Sequence, residues 1–336
     1  MSFNPNPKLT SAEIAALWTQ YMNETAGLCF NNFILQHIED PEIRAIYEYA
    51  IHLGNQHIAK IKEFFQSEEF PVPIGFTEHD VNLHAPQLFS DVLSLHYLNI
   101  MSLHGCHGYS AAVTTSSRMD VRDYYTECLS SAAELCNRTK DSMLEKGFYF
   151  RPPTIPAPRL AEYVKDESFL TGWFGDKRPL NCIEITDILF NLKKSILAKA
   201  VTVGFSQVAT TKEVRKFLLK ASQIKDRHIQ MFNSLLSEEN LASPPTLESE
   251  ISSSTHTPFS EKLMMFQVGF LFSSAMVYYG SGMASSPRRD LAPKYIIAIT
   301  DDMKFGEDWM QIMIENQWLE QPPLAIDRLN LAATTK

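Results

Sequence analysis

The chain contains the same pattern twice, and this repeat constrains the fold more than any other feature of the sequence. Residues 57–73 read HIAKIKEFFQSEEFPVP, and residues 228–244 read HIQMFNSLLSEENLASP. Further segments repeat at a shift of 171 or 170 positions: LTSAEI (9–14) with LNCIEI (180–185), FSD (89–91) with FSE (259–261), and RPP (151–153) with QPP (321–323). Since a domain holds about 100–200 residues, the sequence predicts one domain-sized unit present twice in tandem.

Length and charge exclude several classes of protein. The 336 residues suffice for two domains, and a hydrophobic share of 45% is ordinary for globular chains. A net charge of −9 without a cluster of Lys and Arg argues against nucleic acid or an anionic membrane as partner. No apolar run approaches the ~20 residues of a membrane span. With no signal pattern at the N-terminus and no CxxC pair, we expect a cytoplasmic protein with reduced cysteines.

Each unit begins with the same helix-starting signal. Thr10 and Glu13 stand at the spacing of a capping box, and Asn181 and Glu184 repeat it in the second unit. The first helices are predicted to end near residues 38 and 208. Asp120 and Asp290, which recur with the arginines two positions before them, are predicted to cap the fourth helices.

The connection lengths predict the topology. Helices 1 and 2, and helices 3 and 4, are joined tightly, whereas 71–89 and 242–258 show no helical pattern. Such a connection is long enough to return along a helix of ~42 Å, so helices 2 and 3 run parallel. We therefore predict an all-α fold: a tandem duplication of a ferritin-like four-helix bundle with a long crossover between helices 2 and 3. The predicted bundles are 9–147 and 180–323, joined by a proline-rich linker, 148–179.

Several long motifs resemble a known family. They are GFTEHDVNLHAPQLFSD, KGFYFRPPTIPAP, RPLNCIEI, SEKLMMF and IENQWLEQPP. They look like those of an uncharacterised family of spore-forming bacteria, the domain of unknown function numbered 3231, and the resemblance covers nearly the whole chain. It implies tandem ferritin-like bundles with spore-coat-like relatives, and it implies no established activity. One departure is Gln267, where the family often has histidine.

A standard di-iron site is not predicted. Ferritin-like oxidases use Glu-x-x-His on two helices, because residues three apart share a face and converge on one metal. None of the ten histidines has a glutamate three positions before it. The sequence also lacks GxSxG, P-loop, dinucleotide and HExxH signatures, which favours a protein that is not an enzyme.

His57 and His228 are the remaining candidates, because both units retain them. In one interpretation each is a metal ligand for Fe, Mn or Zn. Acids of the fourth helices, Glu134 or Glu127 in the first unit and Asp301 or Asp308 in the second, then complete the sites. In the other interpretation each is a half-buried histidine hydrogen-bonded to a neighbouring helix, and no cofactor is expected.

Three functional hypotheses follow. The first is a non-enzymatic structural or interaction protein, with protein partners or self-association and, from the resemblance alone, an association with spores. The second is a metal-binding or oxidoreductase bundle with a degenerate site around His57 or His228. The third is a bundle that binds an apolar ligand between helices thinned by glycine, such as those with Gly105 and Gly280.

Overall fold

The computed structural model describes residues 7–173 and 177–334, and the secondary structure of this part of the chain is helical. The first unit contains α1 (Ser11–His37), α2 (Pro41–Ser67), α3 (Asp91–Thr115) and α4 (Met119–Glu145). The second unit contains α5 (Cys182–Val208), α6 (Lys212–Glu238), α7 (Glu261–Ser285) and α8 (Leu291–Glu315), and a short α9 (Arg328–Thr334) follows.

Each unit is a four-helix bundle. In the first, α1 packs against α2 and α3, and α4 packs against the same two helices; α5 to α8 repeat the arrangement. Helices 2 and 3 of a unit therefore lie mainly on a diagonal of the bundle, which the long crossover between them allows. The all-α duplicated bundle with one crossover per unit is confirmed.

The predicted capping boxes are present. Thr10 and Glu13 exchange hydrogen bonds at the start of α1, and Asn181 and Glu184 do so at the start of α5. Both glutamates are fully buried, because each also accepts a backbone N–H from the start of the fourth helix, at 2.8 Å in the first unit and 3.1 Å in the second. One carboxylate thus joins the first helix of a unit to the last.

The prediction that Asp120 and Asp290 cap the fourth helices was wrong for Asp120 and right only in position for Asp290, which is the N-cap residue of α8. The N-cap of α4 is Arg118, and neither α4 nor α8 has a side-chain cap. The physical reason is a stronger partner: the guanidinium of Arg118 holds Asp120 at 2.7 and 2.8 Å, and Arg288 holds Asp290 at 2.9 and 3.2 Å. Bidentate guanidinium–carboxylate pairs are stronger than neutral hydrogen bonds.

The crossovers connect the two units reciprocally. In the first crossover a 3₁₀ turn, Glu78–Asp80, precedes Val81, and Val81 forms a β-bridge with Phe259 at the end of the second crossover. A second β-bridge joins Phe89 of the first crossover to Ile251 of the second. The N-cap serine of each third helix donates to an acid of the other crossover. Ser260 donates to Asp80 at 2.7 Å, and Ser90 donates to Glu250 at 2.6 Å. Each unit therefore holds the N-terminus of the third helix of the other unit.

The core is continuous across the two units. Phe30 of α1 stacks on Phe259 of the second crossover at 5.0 Å between ring centroids, and Phe89 of the first crossover lies 6.0 Å from Phe205 of α5. All four rings are buried in one hydrophobic cluster that contains residues of both bundles. The two bundles therefore share this part of the hydrophobic core.

Two further observations concern single segments. The proline-rich linker contains a 3₁₀ turn, Glu167–Leu170. Of the helices in the described residues, α7 alone is long and apolar enough to cross a membrane, and more than half of its most apolar stretch is buried. Because core helices pass the same test, α7 is only weak evidence for a membrane span.

We expect the shared aromatic core to make the two bundles unfold together. Calorimetry of the full chain should show one cooperative transition. Phe259→Ala should destabilise the whole chain by about 3–5 kcal/mol, since it empties space between the bundles. The exposed change Ile74→Ala serves as control. Two separate transitions, or a loss confined to the second bundle, would contradict the shared core.

Candidate functional site

His57 is buried in the first bundle among groups from three other helices. Its Nδ1 lies 2.6 Å from Oε1 of Glu24 on α1, and the Tyr109 hydroxyl of α3 donates to the same oxygen at 2.8 Å. Tyr124 of α4 packs edge-on against the imidazole, with 6.2 Å between the ring centroids. The polar groups therefore satisfy one another within the bundle.

This arrangement favours the charged form of His57. Burial alone lowers the pKa of the imidazole, but its interactions with Cys128 and Glu24 outweigh this effect and raise the pKa to about 10. Burial also acts to raise the pKa of Glu24, and the hydrogen bonds and charge of its neighbours, His57 first, lower it instead. The two side chains form an imidazolium–carboxylate pair.

His228 occupies the same place in the second bundle with different neighbours. Ser195 stands where the first unit has Glu24, and the hydroxyl of Tyr279 lies 3.2 Å from Nδ1 of His228 and 3.0 Å from Oγ of Ser195. Nε2 of His228 is 3.5 Å from Oδ2 of Asp301. Burial, followed by the charge of Lys225, lowers the pKa of His228 to about 3.

A buried ion pair lies beside His228. Lys225 of α6 and Asp302 of α8 are fully buried and 2.7 Å apart; the repeat places Gly54 and Ala132 at these positions in the first unit. Burial lowers the pKa of Lys225 and raises that of Asp302, against the attraction between them. Nζ of Lys225 also lies 3.7 Å from the centre of the Phe272 ring. A resident cation therefore already neutralises this acid.

The acids proposed from the sequence have different positions. Asp301 is close to His228 but pairs with Arg227 at 3.0 Å. Glu134 lies on the exposed side of α4, where it accepts from Tyr49 at 3.1 Å and pairs with Arg138. Within residues 7–173 and 177–334, no three His, Cys, Asp or Glu side chains are grouped so that they could hold a metal ion. The metal hypothesis stays a prediction.

A groove lies between α1, α7 and α8, and we call it the α8 groove. Its volume is about 960 Å³, and Asp302 lies in its wall. Apart from Asp302, the charged residues that line it are Glu307 and Glu315, with no lysine or arginine among the described lining residues. The apolar lining includes Trp18, Trp309, Phe270, Met276, Met303 and Met310. The groove is thus aromatic, rich in methionine and acidic.

The first unit differs from the second at positions that line this groove. A cavity of about 50 Å³ is lined in part by His96, Asn99, Ile100 and Lys193, which the repeat aligns with Phe266, Gly269, Phe270 and Met22 of the α8 groove, whereas its other lining residues do not align with residues of the groove. Asn99 donates to Thr139 at 2.9 Å. The aligned pair in the second unit is Gly269 and Trp309, where a Cβ on the glycine would lie 2.5 Å from the indole. Only a glycine lets this tryptophan line the groove.

The family of the chain follows from its sequence. A family model described as "Protein of unknown function (DUF3231)" matches residues 1–160 and 168–331. The chain belongs to this family. Its two matched segments correspond to the two units of the repeat, and the family description assigns no activity.

Two other comparisons add less. No protein with a curated description matches this DUF3231 member significantly. A crystal structure called "putative spore coat protein", from Bacillus halodurans C-125, is similar to it with 17% sequence identity and a TM-score of 0.42, over 46% of this chain and 100% of the other. This likeness is too low to carry an argument about the function of the DUF3231 member.

The sequence search missed the residues that distinguish the two units. It relied on recurrence, and Glu24, Lys225 and Asp302 do not recur. One signal was available for Glu24: it lies seven positions after Leu17 and three after Tyr21, both buried, so it continues the apolar stripe of α1. A charged residue in such a stripe indicates a buried partner of opposite charge, but the sequence alone does not show which residue this partner is.

The two repeated histidines should have opposite effects on stability as the pH changes. The raised pKa of His57 means that the folded state keeps a proton that the unfolded state loses above about 6.5, so its contribution declines as pH rises towards about 10. The lowered pKa of His228 means that the unfolded state gains a proton first, so stability declines as pH falls from about 6.5 towards 3.

Urea unfolding between about pH 5 and 9 measures both effects. His57→Gln should flatten the alkaline side of the profile, and His228→Gln the acid side. The two variants control for each other, because they make the same change at matched positions of the repeat. Identical changes in the two profiles would contradict the conclusion that His57 is protonated and His228 is neutral in the folded protein.

Proposed function

We propose that this protein is a non-enzymatic interaction protein that binds its partner in the α8 groove. The supporting observation is the difference between the two units. The α8 groove has a volume of about 960 Å³, and at two of its lining positions, Gly269 and Trp309, the first unit has Asn99 and Thr139, which join α3 to α4 by a hydrogen bond of 2.9 Å. The second unit therefore offers an apolar surface at positions where the first unit has a polar contact between helices.

The character of the groove supports binding more than catalysis. Its wall consists mainly of aromatic and methionine side chains, and methionine adapts to irregular apolar partners. The carboxylate of Asp302 is engaged by Lys225 at 2.7 Å, so it is held in an ion pair instead of being available as a general base. The groove therefore offers apolar surface to bury, with negative charge at its edges.

A small apolar ligand is the second candidate. Ligand pockets have volumes of about 300–1,000 Å³, and the α8 groove falls within this range. Native mass spectrometry of the purified protein distinguishes the two candidates. A small added mass that is the same in every preparation supports the apolar ligand. A chain without such an added mass, found alone or in a complex with protein, supports the protein interaction.

An apolar probe tests whether the groove binds at all. Nile red, which is neutral, should bind the full chain and be followed by energy transfer from Trp18 and Trp309. Gly306→Leu should weaken this binding at least tenfold, because a side chain added at Gly306 meets open space and fills the groove. Gly280→Leu is the matched control: it also adds a side chain in open space on a helix, but outside the groove. Equal binding by both variants would contradict the proposed site.

The association with spores stays a prediction of the sequence resemblance. We propose that the protein acts in the cytoplasm of a sporulating cell, where it joins an assembly through the α8 groove. A reporter fused to the promoter of its gene should become active during sporulation. A reporter that stays silent through sporulation, or that is equally active in growing cells, would count against this prediction.

A further inference from the structure

We propose that the α8 groove binds the linker arm of a second copy of this chain, where the linker arm is residues 151–165. This inference rests on the proposed function and names the partner of that site. It joins two features that one molecule leaves without a counterpart: an open apolar groove and an exposed apolar segment. Each has the charge and the dimensions that the other requires.

The linker arm exposes apolar side chains along its whole length. It reads RPPTIPAPRLAEYVK, and Tyr163 is 95% exposed, Leu160 71%, Val164 60% and Ile155 53%. Single exposed apolar residues are ordinary, but a contiguous set on one segment marks an interaction site. An apolar groove is the surface that would remove these side chains from water.

The charges of the two surfaces are complementary. The linker arm carries Arg151, Arg159 and Lys165 against Glu162, so three positive charges and one negative charge leave a net charge of +2. Among the described residues that line the groove, Asp302 is neutralised by Lys225, so Glu307 and Glu315 supply the negative charge. Opposite charges at the rim of an interface favour association and fix its register.

The dimensions agree as well. The groove follows α8 from Asp302 to Glu315, thirteen residues further along, which corresponds to about 20 Å at 1.5 Å per residue. The four prolines of the linker arm favour the polyproline II conformation, in which six or seven residues cover this length at about 3.1 Å each. Grooves lined by aromatic side chains are a known way to bind such segments.

The position of the linker arm in the structure favours a second copy over the same molecule. Before it, the carbonyl of Phe150 accepts from Lys193 of α5 at 2.6 Å. After it, the carbonyl of Leu170 accepts from the backbone N–H of Arg289 at 3.1 Å, just before α8 begins. Among the described residues that line the groove none belongs to the arm, and Tyr163 of the arm is 95% exposed, so the arm does not fill the groove of its own molecule.

Light scattering and sedimentation of the full chain over a range of concentrations test the proposal. The unchanged protein should associate. Association should weaken at least tenfold in an arm variant with Leu160→Asp and Tyr163→Asp, and in the groove variant Gly306→Leu. Both arm positions are exposed, so the arm variant should fold normally. Gly280→Leu, outside the groove, should associate like the unchanged protein.

Mixing the two defective variants is the decisive step. The arm variant keeps an intact groove, and the groove variant keeps an intact arm, so a mixture should regain one arm–groove contact and associate although neither variant does so alone. A general loss of folding or solubility would not be repaired by mixing. A mixture that stays monomeric would overturn the proposal, as would an unchanged protein that is monomeric at all concentrations.

The outcome separates this inference from the proposed function. If Nile red binds the groove and the chain stays monomeric, the groove is a binding site with another occupant, and the self-association is wrong. If the chain associates but neither the arm variant nor the groove variant weakens it, the contact lies elsewhere and the inference is again overturned. If neither dye nor arm binds, the proposed function fails as well.

Discussion

The exchange of crossover segments between the two units is the constraint on which the rest of the structure depends. Each crossover places an acid on the N-cap serine of the third helix in the other unit, Asp80 on Ser260 and Glu250 on Ser90. The same exchange inserts Phe259 against Phe30. Because hydrogen bonds and aromatic packing cross in both directions, neither unit can shift without the other. The duplicated bundle therefore behaves as one rigid support, and the positions of α1, α7 and α8 around the groove follow from it.

The same support has allowed the interior of the two bundles to diverge. Charge in an interior is tolerated only with a partner, since an isolated buried ion costs several kcal/mol. In the first unit Glu24 pairs with His57. In the second, the acid on the first helix is gone, and Lys225 and Asp302 are present together at places where the first unit has glycine and alanine. In each unit a buried charge is present together with its partner. His57 and His228 therefore share a position in the repeat but differ in charge, because their charged neighbours differ.

Sequence reasoning gave the fold because the fold rests on local and repeated signals. The capping boxes at Glu13 and Glu184 mark the helix starts, and the lengths of the connections select the topology. The site could be predicted only in part. His57 and His228 were identified because they recur, but their partners differ between the units, and a search for recurrence passes over such residues. Asp120 was misassigned for a related reason: its partner Arg118 is visible in the sequence, but the competition between an ion pair and a helix cap is decided by geometry.

The position of the groove follows from the same divergence. Asn99 and Thr139 close the first unit with a hydrogen bond of 2.9 Å, and this pair holds α3 and α4 together through polar groups. The aligned Gly269 removes the side chain that would meet the indole of Trp309, whose N–H instead donates to the carbonyl of Met265 at 2.8 Å. The indole is therefore fixed with its ring at the edge of the groove. One polar contact between two helices has been replaced by an oriented aromatic surface, and such a surface lowers its free energy only when another molecule covers it.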